Sequence, residues 1–278
     1  MPTGLFSGFM VDTWVEASIM AAIAGAIGFF VVLRGSTFAA HAIPQGAFTG
    51  AAGAALIGAN TLLGVGAFSL VGVVAIARWG RRGRHDVATA LSLVTILGIG
   101  SLFLSMSTEY SEQTFALLFG QPIAVSPTDI APTAAIGVAC IVLVLLLYRS
   151  LVLCSIAPEL AAAQGIRPDR VELWFLLAVG AATTMALPVV GALLVFSLMI
   201  GPPAAARYIT DRPGRAMALS AVLALATVWV SIAASFWSDW PIGFFVGSLA
   251  VVWYSLGRFL ARRPGAVGSG KWTRRYTA

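Results

Sequence analysis

The chain has 278 residues, of which 59% are hydrophobic and only 10% charged, and its mean hydropathy is +0.92. Soluble globular domains carry about 25% charged residues, so a water-soluble fold of this size is excluded: it could not hide so much apolar surface. The formal charge of +6 is no nucleic-acid signature, because the basic residues flank apolar runs in the way of loops lying against an anionic leaflet.

Apolar runs of the length needed to cross a hydrocarbon core of about 30 Å recur along the whole chain. Nine candidate spans are predicted: 13–33, 37–57, 61–77, 87–107, 129–148, 171–187, 189–209, 217–237 and 241–256. The start of the chain is not expected to be a cleavable signal, since it lacks a basic leader and its first apolar run is long enough to span.

The first span contains the run AAIAGAIG (21–28) and ends at Arg34. The second carries GAFTGAAGAALIG (46–58). Small residues three or four apart let helix backbones approach closely in lipid. They imply tight packing or, in a sharper reading, a sliding surface between helices. The second span also holds His41, seven residues past Arg34 and so roughly 10 Å along a helix with 1.5 Å rise. Gln45 follows on the same face at i+4, with Pro44 between them as a kink. Polar groups at such depth face a bundle interior or a water-filled path. The pair is therefore either a helix–helix hydrogen bond or a substrate ligand or gate.

After the third span comes the basic loop RWGRRGRHD (78–86), in which His85 reads as a solvated loop residue. The fifth span is followed by RSLVLCSIAPELAAAQGIRPDRVE (149–172), a short amphipathic stretch containing Glu159, Ala161 and Gly165. By itself it is either an ordinary loop helix or a docking helix for a cytoplasmic partner. The sixth and seventh spans meet at Pro188 almost without a linker, so one of them is partial or broken and eight spans is the alternative count. Such breaks are tolerated where backbone is buried in protein or lines a cavity. Cys140 and Cys154 form no metal or redox motif, and no disulfide is expected.

Charge bias orients the bundle. With the N-terminus outside, all 17 Arg and Lys residues fall on the inner side, which is where loops of membrane proteins are enriched in them. Asp12, Glu109, Glu112 and Asp239 then lie outside, with Glu16 and Asp129 near outer span ends. The fold expected is all-α, a polytopic transmembrane bundle of eight to nine spans with a cytoplasmic C-terminus. Residues 1–258 form one membrane domain and residues 259–278 a basic, Gly-rich cytoplasmic tail. No P-loop, HExxH or GxSxG occurs, and no nucleophile–base set is visible.

Four blocks, in order, resemble the permease subunits of bacterial zinc and manganese ABC importers: GFFVVLR (28–34), ALLFGQPIAVSPTD (116–129), APELAAAQGI (157–166) and VGALLVFSLMIGPPAAAR (190–207). That family's phrases are LFGxxxxVxxxD, SP[DE]xAxxxG and VGxLLxxxLLxxPAAxAR. The resemblance implies a permease in a bacterial cell membrane that works as a homodimer, with cytoplasmic ATP-binding subunits and an extracytoplasmic solute-binding protein. It implies no bound cofactor, a divalent metal as cargo, and a coupling segment at 157–166 in which Glu159, Ala161 and Gly165 match the pattern. Glycine there permits positive φ at the end of a short helix.

The chain departs from the family where cargo is handled. The second-span Asp-x-x-x-His pair of relatives is His41 and Gln45 here, and an acidic position before LFG is Gln113, beside Glu112. Carboxylates suit manganese whereas imidazole suits zinc, copper, iron and nickel, and one neutral imidazole beside a glutamine is a weak site. Either the metal route uses other groups or the cargo is not manganese-like; His41 is the candidate metal ligand and a divalent metal such as zinc the expected cargo. An importer of the same architecture for a metal chelate or another cargo is the second reading. The third is an ion-coupled carrier, which requires inverted repeats and midplane carboxylates that the sequence does not clearly show.

Overall fold

The computed structural model describes residues 9–79, 85–106 and 127–261. Among them there are ten helices and no strand. They are α1 (Phe9–Arg34), α2 (Thr37–Leu56), α3 (Thr61–Trp79), α4 (His85–Ser105), α5 (Pro127–Ile156), α6 (Pro158–Ala163), α7 (Pro168–Val190), α8 (Ala192–Ile209), α9 (Pro213–Ser238) and α10 (Ile242–Ala261). Each apolar stretch read from the sequence becomes one long helix, and α6 is an added short one. Four of them, α1, α5, α9 and α10, are long and apolar enough to cross a membrane, and α3, α4 and α8 hold shorter apolar stretches. Glu109, Glu112, Gln113 and most of the block at 116–129 lie outside the described residues, as do residues 262–278 and the side chains of His85 and Asp129.

The expected interruption at Pro188 falls three residues later. Helix α7 runs through Pro188 to Val190, and the chain turns at Gly191, whose φ is +78°. The reason is stereochemical. Proline withholds an N–H but has a helix-compatible φ, so it weakens the last turn without redirecting it. The turn itself needs the positive φ that glycine adopts without steric penalty.

Helix α1 is central: 67% of its apolar window is buried, against 17% for α10. It packs against α5, α7, α8 and α9. Its Phe29, Phe30 and Met20 are fully buried, together with Phe175 of α7 and Met199 of α8. The ring of Phe30 meets those of Phe29, Tyr148 and Phe175 edge-on, at centroid distances of 5.0, 5.7 and 6.5 Å. Large apolar side chains also cover the outside, such as Leu146 on α5, Val94 on α4 and Phe259 on α10. Inside, hydroxyls bridge helices: Ser220 Oγ donates to the Gly25 carbonyl at 2.6 Å and Thr184 Oγ1 to Ser69 Oγ at 3.1 Å. An apolar exterior around a small-residue, hydroxyl-bridged interior is the arrangement helices adopt in lipid.

The glycine runs mark the closest approaches. A Cβ on Gly28 would stand 2.5 Å from the Met199 carbonyl oxygen, and one on Gly25 2.7 Å from the Ala221 Cα. Gly50 of α2 and Gly64 of α3 face each other backbone to backbone, and a Cβ on either would collide with the other's carbonyl oxygen. The tight-packing reading of both runs is what the structure contains. Backbone cannot yield as a flexible side chain does, so overpacking here costs about 1–3 kcal/mol or more. Gly50→Val is expected to lower stability by at least that amount in detergent unfolding. Unchanged unfolding would contradict the α2–α3 seam.

Contacts also sort the helix ends. At one end, Arg34 closes α1 and pairs with Glu172 in the first turns of α7. Beside them Arg207, near the end of α8, donates to the Val32 carbonyl at 2.9 Å. Tyr208 of α8 meets Tyr254 of α10 edge-on at 5.7 Å. At the other end, Thr133 Oγ1 of α5 donates to the Glu16 carboxylate of α1 at 3.1 Å, and Trp240 stacks on Phe245.

Candidate functional site

Helix α2 is surrounded by α3, α4, α7 and α8. The seams are tight. Thr49 Oγ1 donates to the Ile96 carbonyl of α4 at 2.9 Å, and a Cβ on Gly53 would stand 2.9 Å from the Phe103 ring. From Ala39 to Ala52 every residue is buried except His41 and Gln45, which are half-buried. The i, i+4 spacing therefore puts the two polar side chains on the one edge of this stretch that its neighbours leave open. Pro44 sits between them, and having no N–H it leaves the Ala40 carbonyl without its usual intrahelical donor. Freed backbone of this kind is tolerated where it lines a cavity.

One side chain of α8 meets this edge. The Phe196 ring lies 4.6 Å from that of His41, centroid to centroid, with 60° between the planes. Among the described residues no group of three or more His, Cys, Asp or Glu is placed to hold a metal. The edge offers one imidazole and one amide.

The second candidate region lies at the end where Arg34 and Glu172 meet. Helix α6 begins with Pro158, which presets φ for a first turn. It ends at Gly165, whose φ is +75°. There the Ile166 N–H bonds the Ala161 carbonyl and the Gly165 N–H bonds the Ala162 carbonyl, both at 3.0 Å. That is the paired-bond helix ending that calls for glycine, in agreement with the expectation from sequence. Ala161 is fully buried, while Glu159, Leu160, Ala162, Ala163, Gln164 and Gly165 are exposed. A small residue faces inward, and the rest forms a protruding surface with open space above Gly165.

Sequence reasoning missed three features. The Arg34–Glu172 ion pair is mostly buried, with side-chain exposures of 10% and 22%, and Arg34 also lies 5.5 Å over the Phe175 ring. Its partners are 138 residues apart in sequence, and no local signal joins them. Glu16, read only as an outer acid, is 1% exposed. Its burial was legible only as its place in an otherwise apolar run. Phe196 carried no signal, being one more apolar residue in an apolar block. Cys140 and Cys154 are free thiols.

The ion pair gives the two regions a physical connection. Helix α6 leads through Gly165 into α7, whose Glu172 holds Arg34. Arg34 is separated from α2 only by Gly35, with φ +74°, and Ser36. Four residues into α2 stands His41.

Residues 7–260 match the ABC 3 transport family. The chain belongs to that family. Among its relatives is the "Manganese transport system membrane protein MntC" of Halalkalibacterium halodurans, 27% identical over 93% of this chain and 89% of the relative. In three dimensions it resembles a chain of PsaBC from Streptococcus pneumoniae, solved in complex with a Fab. The TM-score is 0.83 and the identity 22%, covering 94% of this chain and 95% of that one. An inward-facing ABC transporter of metal-chelate type matches with TM-score 0.73 and 14% identity, over 90% of this chain and 85% of that one. The family assignment agrees with the resemblance drawn from the four blocks. The all-helical fold with several membrane-length apolar helices is that of a multi-pass membrane protein.

Proposed function

We propose that this chain is the membrane-spanning permease subunit of an ATP-driven importer of a divalent metal ion, with zinc favoured. The observation that carries the reading is the family match across residues 7–260. The chain is non-catalytic in this reading, and ATP is hydrolysed on a separate cytoplasmic subunit. Cargo arrives from an extracytoplasmic solute-binding protein. Two copies form the permease, so the open edge of α2 occurs twice and the path offers two imidazoles and two amides from His41 and Gln45.

Imidazole suits zinc, and neither residue supplies the carboxylate that manganese favours. The proposed membrane is the bacterial cell membrane, crossed eight to nine times, with the N-terminus outside; the tail expected at 259–278 begins after Ala261, where α10 ends, and is the basic cytoplasmic segment. The clustering of Arg34 and Arg207 at one end supports that orientation. Basic inner loops are the expected marker.

Coupling runs through α6. Closure of the ATP-binding subunits displaces the exposed surface of Glu159, Leu160 and Gly165. Burial of Ala161 makes the helix move with the bundle, and the Glu172–Arg34 pair carries the shift to the joint preceding α2. Rigid-body movement of packed elements of this kind is a common switching device. Co-expression with a candidate P-loop ATPase subunit tests the assembly. A purified complex of two permeases and two ATPases is expected, and a permease that purifies alone and transports without ATP would refute it.

A second reading keeps the architecture and changes the cargo to a metal chelate. The relative "Chelated iron transport system membrane protein YfeC" of Yersinia pestis, 24% identical over 94% of this chain and 89% of that one, favours it. A chelate needs a shaped apolar path more than direct ligands.

A further inference from the structure

We propose that Phe196 is a positioning residue for His41 and thereby sets which ions the path accepts; the inference rests on the cargo-path reading of His41. Two observations lead to it. The two rings are in edge-to-face contact at 4.6 Å and 60°, a geometry that aromatic quadrupoles favour. Both residues are half-buried, while Ala40 and Ala42 beside His41, and Leu194, Val195, Leu198 and Met199 around Phe196, are buried. The contact therefore stands on the open edge of α2 and outside the core.

The physical consequence follows from what each ring can do. An imidazole on a helix turns about two side-chain bonds, and a coordination bond needs one nitrogen aimed along one direction. The phenyl ring blocks part of that rotation. It also supplies no oxygen ligand and keeps water from one side of the imidazole. A cation that retains its water and demands oxygen ligands gains nothing there. A borderline cation that exchanges water for imidazole nitrogen gains a ligand already held in place. Phe196 thus favours zinc-like over manganese-like ions by shaping His41, without touching the ion through a ligand atom.

The test is zinc and manganese titration of the purified permease carrying Phe196→Ala, Phe196→Tyr, His41→Ala, or His41→Ala with Phe196→Ala. Phe196→Ala is expected to weaken zinc binding roughly three- to tenfold, the size of an edge-to-face aromatic contact. Manganese binding should change by less than about twofold, within the scatter of independent sites. Phe196→Tyr, which keeps the ring, should bind zinc as the native chain does. In the His41→Ala background, Phe196→Ala should have no further effect. Undiminished zinc binding in Phe196→Ala, failure of tyrosine to restore it, or the same loss with and without His41 would overturn the inference and leave the cargo path standing. Undiminished zinc binding in His41→Ala would instead remove the cargo-path reading, and this inference with it.

Discussion

Gly165→Arg is expected to cut ATP-driven uptake roughly tenfold or more while the protein still reaches the membrane, the scale of a coupling free energy of ~1–3 kcal/mol. Two effects combine. Gly165 has φ +75°, and an L-residue held in that region loses about 1–2 kcal/mol. Nothing lies within 4 Å of the position a Cβ would take, so the arginine side chain projects from the helix end into the surface assigned to the ATPase. Glu159→Lys on the same exposed face reverses a charge without any backbone strain, and is expected to uncouple transport as well. Comparing the two variants separates strain from lost docking. ATPase activity of the complex, measured beside uptake, distinguishes an uncoupled complex from a dissociated one. Native uptake in both variants would remove α6 from the coupling route.

Restoring the family's pair at the open edge of α2 is expected to move selectivity. His41→Asp with Gln45→His puts a carboxylate and an imidazole at i and i+4 on the same edge, where the native chain has an imidazole and an amide. Manganese favours the carboxylate, and a roughly tenfold gain in manganese over zinc uptake corresponds to about 1.4 kcal/mol. Both sites are half-buried, so the new side chains enter without opening a cavity. His41→Asp alone should weaken zinc handling and gain less for manganese. An unchanged zinc-to-manganese ratio in the double variant would mean that this edge does not see the ion.

Much of the fold was legible because lipid makes strong demands on sequence. Backbone polar groups must be satisfied within helices, so each apolar run had one available structure, and each became a helix. Gly165 was marked by the resemblance of residues 157–166 to the importer permeases, and its φ of +75° is what a short helix that must turn requires. His41 and Gln45 were placed on one face by the helical repeat, and they share the open edge of α2. What the sequence could not supply depends on which helix lies beside which. Glu172 and Arg34 are both ordinary charges at span ends until α1 and α7 are packed together. Phe196 becomes informative only when α8 sets it against His41. Gly191 took the turn assigned to Pro188 because redirecting a chain and interrupting its hydrogen bonds are different demands, met by different residues.

The most direct measurement is uptake of radiolabelled zinc and manganese into vesicles that carry this chain with its ATPase and solute-binding protein, with and without ATP. The account predicts uptake only with ATP, zinc ahead of manganese, and a fall in zinc uptake on His41→Ala. Accumulation of neither ion by an assembled complex that hydrolyses ATP would contradict metal-ion import and turn the same scaffold over to a chelate cargo.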